Sequence, residues 1–355
     1  MGGLEIRHRA HDALRQGSRP ARRGEVSDAR RPKILVALRP SGAEPPGLRD
    51  KVDGLAELGF VTDASEITAE WEDAEAVFVW NFRSTVVPDA ARRLSALRWV
   101  HVAAVGVDAS LSDEVRDRGI RFTNSRGVTA ESMAEFALSF MLAFAKELPR
   151  FGADKTARVW RPVETRMLSG ARLVIVGMGE VSRQLARRAH ALGMSVTGVG
   201  RRARVAPVEH FDRVVVQDDL HEVLATADYV MLATPLTEQT AGMFGSAEFA
   251  AMPTDAVLVN VGRGPVIRED ALLDALRSGL IRGAALDVVP KEPLAPEHEL
   301  WDMPNVILTP HISSDFQGWE DAMVDLFVEN LRRWTEGEPL RNIVDLEMGY
   351  APLDT

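Results

Sequence analysis

Arginine, glutamate and histidine residues follow three successive apolar strands in the second half of the sequence. Arg263 lies in a glycine loop after the first of these strands, Glu292 follows the second, and His311 follows the third. Taken alone, each residue has an ordinary explanation. The arginine could be a surface residue, and the glutamate and histidine could simply lie in loops. In open α/β sheets, however, ligands bind beyond the carboxyl ends of the strands. Histidine transfers protons near neutral pH and arginine binds oxyanions, so the set indicates a functional site.

A glycine turn precedes these residues, in the segment 173–182. Gly177 permits a tight turn, and Gly179 lets the backbone approach a pyrophosphate at the N-terminus of the next helix. Ser182 stands where the dinucleotide fingerprint has its third glycine, a mild departure because serine is also small. The strand before the turn and the amphipathic helix after it predict a dinucleotide site. The alternative is a turn with a purely structural role.

The strand after this helix, Ser195–Val199, leads into Arg201 and Arg202. NAD sites usually carry an acid about 20 residues beyond the fingerprint, where it binds the ribose 2′-hydroxyl. No Asp or Glu occurs between Glu180 and Glu209. A guanidinium is suited to a 2′-phosphate instead. We therefore expect NADP(H) as the preferred cofactor and NAD(H) as the second, the alternative being a solvated basic loop.

The elements that must position these residues are short apolar strands alternating with amphipathic helices. This alternation predicts an α/β fold made of two doubly wound parallel-sheet domains. The predicted helices include Thr129–Leu148, which Pro149 should stop, Gly179–Leu192 and Trp319–Thr335. The predicted strands are Ile34–Leu38, Ala76–Trp80, Trp99–Val102, Leu173–Val176, Ser195–Val199, Tyr229–Ala233, Val257–Val261, Gly283–Val288 and Val306–Leu308.

The domain organisation follows from changes in composition. Residues 1–32 are rich in arginine and poor in hydrophobic residues, which predicts a disordered tail. We expect a substrate-binding domain over residues 33–127, completed by 313–355, since the last helix follows the second series of strands. Residues 128–312 should form the cofactor-binding domain. The tail also fits contact with an acidic partner.

Composition excludes several classes of protein. Two domains fit the 355 residues at about 100–200 residues per domain. The absence of cysteine excludes disulfides, thiolate metal sites and a cysteine nucleophile, and we expect no metal site. A net charge of −10 argues against a nucleic-acid partner. No segment reaches the ~20 apolar residues that span a membrane, so a cytoplasmic protein is expected.

From Lys33 onward the sequence resembles the D-2-hydroxyacid dehydrogenase family. Besides the segments above, the resemblance is carried by Trp99–Asp108, Arg118–Asn124, Ala233–Thr240 and Ala285–Asp287. It implies a Rossmann cofactor domain, a flavodoxin-like substrate domain, and an active site in the cleft between them. It also favours a homodimer built on the cofactor domain.

The resemblance implies that Arg263, Glu292 and His311 are the catalytic residues for reduction of a 2-oxo acid. Histidine would protonate the carbonyl oxygen, and glutamate would orient the ring and favour its charged form. Arginine would hold the carboxylate and polarise the carbonyl, while nicotinamide supplies the hydride. The amides of Val105 and Gly106 would meet the substrate carboxylate.

Cofactor contacts are also implied by the resemblance. Asp287 would meet the nicotinamide carboxamide. The remaining implied contacts are the backbone of Glu180 and Val181, together with Thr234, Pro235, Thr240, Val261 and Gly262.

Within the family, the arginine pair and the chain length favour a D-specific glyoxylate or hydroxypyruvate reductase. Glu292 argues against a formate dehydrogenase, which uses glutamine there. The segment Trp80–Arg83 is the candidate pocket for the substrate side chain, or else a plain connecting loop. The alternative function is that of a cofactor-binding transcriptional corepressor or sensor without significant turnover, as in some proteins that resemble this family.

Overall fold

Runs of apolar and β-branched residues form two parallel sheets. The structure is a computed structural model that describes residues 31–81, 84, 86–202 and 207–351. The predicted tail therefore lies outside the described residues, apart from its last two positions. The α/β class with two parallel sheets and flanking helices is confirmed.

The first sheet contains five strands in the order β2-β1-β3-β4-β5, all parallel. This is the flavodoxin-like order, in which the direction of winding reverses between β1 and β3. The strands are β1 (Lys33–Ala37), β2 (Glu57–Val61), β3 (Ala76–Val79), β4 (Trp99–Val102) and β5 (Arg121–Asn124).

The second sheet has seven parallel strands in the order β12-β11-β10-β9-β6-β7-β8. Its winding reverses between β6 and β9, as in a Rossmann sheet, and nucleotides bind at such a point. The strands are β6 (Arg172–Val176), β7 (Ser195–Gly200), β8 (Arg213–Val216), β9 (Tyr229–Leu232), β10 (Val257–Asn260), β11 (Gly283–Leu286) and β12 (Val306–Leu308).

Three strands were missed by the sequence analysis, namely β2, β5 and β8. All three lie at sheet edges, where only one neighbouring strand is present. Their residues are less continuously apolar, since β2 and β8 are only half-buried and β5 begins with the exposed Arg121. The central strands β3, β9 and β10 are buried along their whole length, which is why their apolar runs were recognisable.

Helices cover the faces of both sheets. In the described part of the chain they are α1 (Leu48–Val52), α2 (Val86–Arg93), α3 (Asp113–Asp117), α4 (Ala130–Ala145), α5 (Leu148–Ala157), α6 (Glu180–Ala191), α7 (Leu220–Leu224), α8 (Ser246–Ala251), α9 (Glu269–Ser278) and α10 (Trp319–Glu336). None of these helices is long and apolar enough to cross a membrane.

The sequence predicted one helix over Thr129–Leu148 that is stopped by Pro149. This prediction was wrong about where the helix ends. Helix α4 ends at Ala145, and Glu147 takes a left-handed conformation with φ of 55°. Pro149 then lies in the first turn of α5, where its missing N–H has no helical partner to lose. The proline thus marks the start of a second helix.

Helix α10 packs against the first sheet, although it follows the last strand of the second. Phe327 stacks on Phe78 with ring centroids 4.0 Å apart, and Met323, Val324 and Leu331 are buried beside it. This contact supports the assignment of the C-terminal residues to the substrate-binding part. The domain boundaries themselves stay a prediction.

Candidate active site

Loops from both sheets enclose a cleft of about 260 Å³. Gly106 and Asp108 contribute from the loop after β4. Arg263 contributes from the loop after β10, Glu292 from the segment after β11, and His311 from the loop after β12. The three ionisable residues that the sequence singled out therefore line one cleft.

His311 is held by Glu292. Its Nδ1 lies 2.7 Å from Oε2 of Glu292, and the other carboxylate oxygen accepts the backbone N–H of Val289 at 3.2 Å. The backbone of His311 is left-handed, with φ of 57°, and its N–H donates to the carbonyl of Asp287 at 2.8 Å. Both side chains of the pair are about one-fifth to one-quarter exposed. Because Nδ1 faces Glu292, Nε2 lies on the opposite edge of the ring.

Arg263 is fixed at two of its nitrogens. Nε lies 3.2 Å from the carboxylate of Asp108, and Nη1 donates to the carbonyl of Gly262 at 2.9 Å. The buried amide of Asn260 shapes this loop, since it accepts from Gly262 N–H at 3.0 Å and donates to the Arg263 carbonyl at 3.1 Å. A side chain at Gly264 would overlap the backbone of Val289, so this glycine allows the two loops to meet.

The loop after β4 lies against Arg263 at Gly106. A Cβ atom at Gly106 would overlap the guanidinium, which shows how closely loop and side chain approach. Asn124 fixes the loop by donating to the carbonyl of Val105 at 2.6 Å. Among the described residues, none accepts a hydrogen bond from the N–H of Val105 or Gly106. Two N–H donors next to a guanidinium form a site suited to an oxyanion.

A buried polar network supports this loop from below. His101 on β4 is fully buried, with Nδ1 2.8 Å from Oγ1 of Thr123 and Nε2 3.3 Å from Oγ of Ser125. Trp99 donates to the same threonine oxygen at 2.9 Å. Burial lowers the pKa of His101 from its usual 6.5 to about 3, because the charged ring would lose its hydration. This histidine therefore stays neutral and structural.

Asp287 organises the loop that carries His311. It is 1% exposed, and its Oδ1 accepts from the Thr309 hydroxyl at 2.6 Å and from Ile312 N–H at 2.9 Å. Its Oδ2 accepts from Ser313 N–H at 2.9 Å. The observed role of this carboxylate is thus to hold residues 309–313, and its contact with a nicotinamide stays a prediction.

The glycine turn lies where the winding of the second sheet reverses. Gly177 has φ of 107°, and a Cβ atom there would lie 2.8 Å from the carbonyl oxygen of Ala233. Open space surrounds Gly179 at the start of α6, whereas Ser182 is fully buried. The Oγ1 atom of Thr234 is buried and finds no hydrogen-bond partner in the described chain. A backbone cradle, open space and an unsatisfied hydroxyl fit a bound dinucleotide.

Other residues expected at the cofactor also surround this turn. Glu180 and Val181 form the first turn of α6, and Val261 and Gly262 follow β10. The Thr240 hydroxyl donates to the Pro235 carbonyl at 2.7 Å, so it shapes the loop after β9.

Arg201 and Arg202 follow β7 and are exposed. They lie beside the glycine turn, because β7 is bonded to this turn. The N–H of Gly177 donates to the carbonyl of Val199, near the end of β7, at 2.9 Å. This is the place that the sequence predicted for a 2′-phosphate site.

Several contacts of the site were not anticipated. Asp108 ends one of the segments that carry the family resemblance but was given no role, and Asn260 was placed only within the predicted strand Val257–Val261. In the predicted side-chain pocket, Phe82 and Arg83 lie outside the described residues, while Trp80 is buried against Trp319. No group of three or more metal-ligating side chains occurs in the described residues.

Comparison with known proteins gives one consistent family. A sequence profile described as the NAD-binding domain of D-isomer-specific 2-hydroxyacid dehydrogenases matches residues 138–313. A glyoxylate reductase of Korarchaeum cryptofilum is 36% identical over 264 residues, which cover 71% of this chain and 77% of that protein.

Solved structures agree with the profile. A D-isomer-specific 2-hydroxyacid dehydrogenase from Xanthobacter autotrophicus, in complex with NADPH and MES, has a TM-score of 0.79 and 28% identity, covering 91% of this chain and 100% of that one. An NADPH-dependent glyoxylate/hydroxypyruvate reductase from Sinorhizobium meliloti, in complex with NADP and sulfate, has a TM-score of 0.78 and 27% identity, covering 90% and 100%. These relatives are named as enzymes, so the corepressor alternative finds no support among them.

Proposed function

Because the chain belongs to the D-isomer-specific 2-hydroxyacid dehydrogenase family, we propose that it reduces a small 2-oxo acid to the D-2-hydroxy acid with NADPH. Enzymes of this family are NAD(P)-dependent oxidoreductases that act on CH–OH donors. The proposal adds the direction, the substrate class and the preferred cofactor. Glyoxylate and hydroxypyruvate are the first candidates, since several relatives similar to this chain are named as reductases of these acids.

The substrate carboxylate binds at the oxyanion site beside the β4 loop. The N–H groups of Val105 and Gly106 donate to it, and the guanidinium of Arg263 neutralises its charge. The same guanidinium lies close enough to the cleft to polarise the neighbouring carbonyl, where negative charge grows during reduction. Nη2 is the nitrogen for this contact, because Nε and Nη1 are already engaged.

His311 gives the proton to the carbonyl oxygen. Glu292 holds Nδ1 at 2.7 Å and so orients the ring, and the proton leaves from Nε2 on the opposite edge. Asp287 keeps the loop in place through three hydrogen bonds. The nicotinamide cofactor, when bound at the glycine turn, supplies the hydride to the carbonyl carbon.

The preference for NADPH rests on Arg201 and Arg202. Both are exposed at the end of β7, next to the turn that fits the pyrophosphate. A guanidinium there attracts the 2′-phosphate dianion of NADPH, which NADH lacks. The S. meliloti relative, named as NADPH-dependent, supports the same preference.

The observation that carries the proposal is the His311–Glu292 hydrogen bond in one cleft with Arg263. Purified protein is mixed with NADPH and a panel of 2-oxo acids, and loss of the reduced-nicotinamide absorbance is followed. We expect turnover of glyoxylate or hydroxypyruvate and a higher catalytic efficiency with NADPH than with NADH.

Chiral analysis of the product from hydroxypyruvate tests the stereochemistry, with the D-isomer expected. Tight binding of NADPH without turnover of any 2-oxo acid would overturn the reductase proposal. A clear preference for NADH would overturn only the cofactor part.

We also propose that two copies of the chain associate through an apolar surface on α4, α5 and the segment after them. In the described part of the chain, six of the ten exposed large hydrophobic side chains lie between residues 142 and 167. Trp160 is the most exposed of them, at 96%. The six residues are Leu142, Leu148, Phe151, Val159, Trp160 and Met167. An apolar patch of this kind favours an interface.

Sedimentation velocity tests this association. The double variant Trp160→Glu with Met167→Glu should shift the protein from dimer to monomer at micromolar concentration. Trp301→Glu changes an equally large exposed tryptophan outside the patch and should leave the dimer intact. A monomeric wild-type protein would contradict the proposal.

A further inference from the structure

The segment after α10 is anchored on the first sheet at both of its ends. Val344 N–H donates to the Phe122 carbonyl at 2.8 Å, and Val344 is buried in the core of that sheet. At the other end, Arg126 Nη1 donates to the carbonyl of Ala351 at 3.1 Å, and Ala351 is also buried. The residues between these anchors therefore have a defined position.

A tight turn connects the two anchors. Asp345 N–H donates to the Tyr350 carbonyl at 3.1 Å, and Gly349 N–H donates back to the Asp345 carbonyl at 2.8 Å. The Asp345 carboxylate also accepts from the N–H groups of Glu347 and Met348, at 3.0 and 2.9 Å. The turn is thus fixed by its own hydrogen bonds. We refer to residues 345–350 as the C-terminal turn.

The C-terminal turn contacts Arg201 on the second sheet. The guanidinium carbon lies over the Tyr350 ring, 5.1 Å from its centroid, and Nη2 lies 3.4 Å from Sδ of Met348. The Tyr350 hydroxyl donates to the same sulfur at 3.3 Å. Within the described residues, no carboxylate forms an ion pair with Arg201. Its contacts are thus an aromatic face and a sulfur atom, neither of which neutralises its charge.

This arrangement leaves the guanidinium available to an anion. When a planar guanidinium lies over an aromatic ring, its flat face contacts the ring. Its N–H donors then point outward in the plane of the guanidinium. A long arginine side chain on the surface otherwise loses conformational freedom when it binds. An aromatic support that restricts the side chain beforehand reduces this loss.

We propose that Tyr350, assisted by Met348, is a positioning residue that orients Arg201 toward the 2′-phosphate of NADPH. The inference rests on the proposed preference for NADPH and deepens it, because it places the C-terminal turn at one side of the 2′-phosphate subsite. The selectivity of a cofactor site on the second sheet thereby depends on a residue whose backbone is anchored on the first sheet.

The test uses the full chain. It compares the kinetics with NADPH and NADH, and the binding of two adenosine fragments with and without a 2′-phosphate. KM and kcat are measured for NADPH and NADH at saturating 2-oxo acid in the wild type, Tyr350→Ala, Tyr350→Phe and Arg201→Ala. Isothermal titration with adenosine 2′,5′-bisphosphate and with 5′-AMP gives a readout that does not depend on turnover. Arg213→Ala, an exposed arginine on the same sheet paired with Glu222, is the matched control.

We expect Tyr350→Ala to weaken binding of adenosine 2′,5′-bisphosphate and to raise KM for NADPH by roughly three- to thirty-fold, as for loss of a cation–π contact. Binding of 5′-AMP and KM for NADH should change far less. Tyr350→Phe keeps the ring and should restore most of the affinity. Arg201→Ala should lose more affinity for adenosine 2′,5′-bisphosphate than Tyr350→Ala does. Arg213→Ala should bind both fragments as the wild type does.

The outcomes separate the two proposals. If Arg201→Ala discriminates against NADPH but Tyr350→Ala does not, the inference is wrong and the NADPH preference stands. If Tyr350→Ala weakens both fragments equally or lowers the thermal unfolding midpoint together with all activities, the tyrosine is merely structural and the inference is again wrong. If the wild type prefers NADH and Arg201→Ala changes nothing, the NADPH preference itself fails.

Discussion

A side chain at Gly106 would occupy the same space as the guanidinium of Arg263. The absence of a Cβ atom at this position lets the arginine lie against the backbone of the β4 loop. The two residues are 157 positions apart in the chain and belong to loops of different sheets. The geometry of the proposed oxyanion site therefore depends on glycine at position 106.

Gly106→Ala should displace this guanidinium. We expect kcat/KM for the 2-oxo acid to fall roughly 10²–10³-fold, the loss typical of one removed oxyanion donor. Binding of NADPH, measured by fluorescence titration, should be retained. Gly152→Ala is the control, because a Cβ atom there meets open space on α5. Unchanged efficiency in Gly106→Ala would show that the guanidinium acts elsewhere.

His311→Ala and Arg263→Ala should each abolish measurable turnover. A positioned general acid contributes typically ~10²–10⁴-fold, and the arginine contributes both charge and orientation. Steady-state kinetics measures the loss, and titration with NADPH should show that the histidine variant still binds the cofactor. His298→Ala is a matched control, since His298 also pairs with a glutamate, Glu269, but outside the cleft. A histidine variant near the wild-type rate would mean that the acid is another group.

Asp108→Ala should loosen Arg263 without removing it. The carboxylate holds Nε at 3.2 Å in a partly exposed ion pair, whose contribution is about 1 kcal/mol. We expect kcat/KM to fall roughly fivefold, mostly through KM for the 2-oxo acid. Asp108→Asn keeps a hydrogen-bond acceptor, so its kcat/KM should lie between those of the wild type and Asp108→Ala.

Asp113→Ala removes a comparable exposed ion pair, with Arg116, and serves as the control. A gain in substrate affinity in Asp108→Ala would contradict the positioning role. It would mean instead that the carboxylate competes with the substrate for the guanidinium.

Sequence patterns predicted the parts of the site that depend on one strand and the loop after it. Arg263, Glu292 and His311 were recognisable because each follows a buried apolar strand, and parallel strands bring such loops to one edge. The glycine turn was recognisable for the same reason. The central strands were found, whereas the edge strands β2, β5 and β8 were missed because they retain polar residues.

Contacts between the two sheets were not predictable from these patterns. Asp108 and Arg263, or Tyr350 and Arg201, meet only because of how the loops and the C-terminal turn pack. No periodicity or spacing encodes such a pair. The break between α4 and α5 was missed for a local reason, since Pro149 fits the first turn of a helix as well as it ends one.

His101 should make the stability of the protein depend on pH. Burial lowers its pKa from 6.5 to about 3, so the unfolded chain binds a proton that the folded chain rejects. The free energy of unfolding is therefore greatest above pH 6.5 and decreases as the pH falls from 6.5 toward 3. Between about pH 8 and pH 5 this single group should account for a loss of about 2 kcal/mol.

Urea unfolding at these two pH values measures the difference. His101→Gln removes the titrating ring and can still bond to Thr123 and Ser125, so the pH-dependent part attributed to it should disappear even if the variant is less stable throughout. His221→Gln changes an exposed histidine that pairs with Glu248 and leaves His101 in place, so it should retain the loss. An equal pH dependence in His101→Gln and the wild type would show that the buried ring accepts its proton without unfolding, and that the network beneath the β4 loop tolerates a charge.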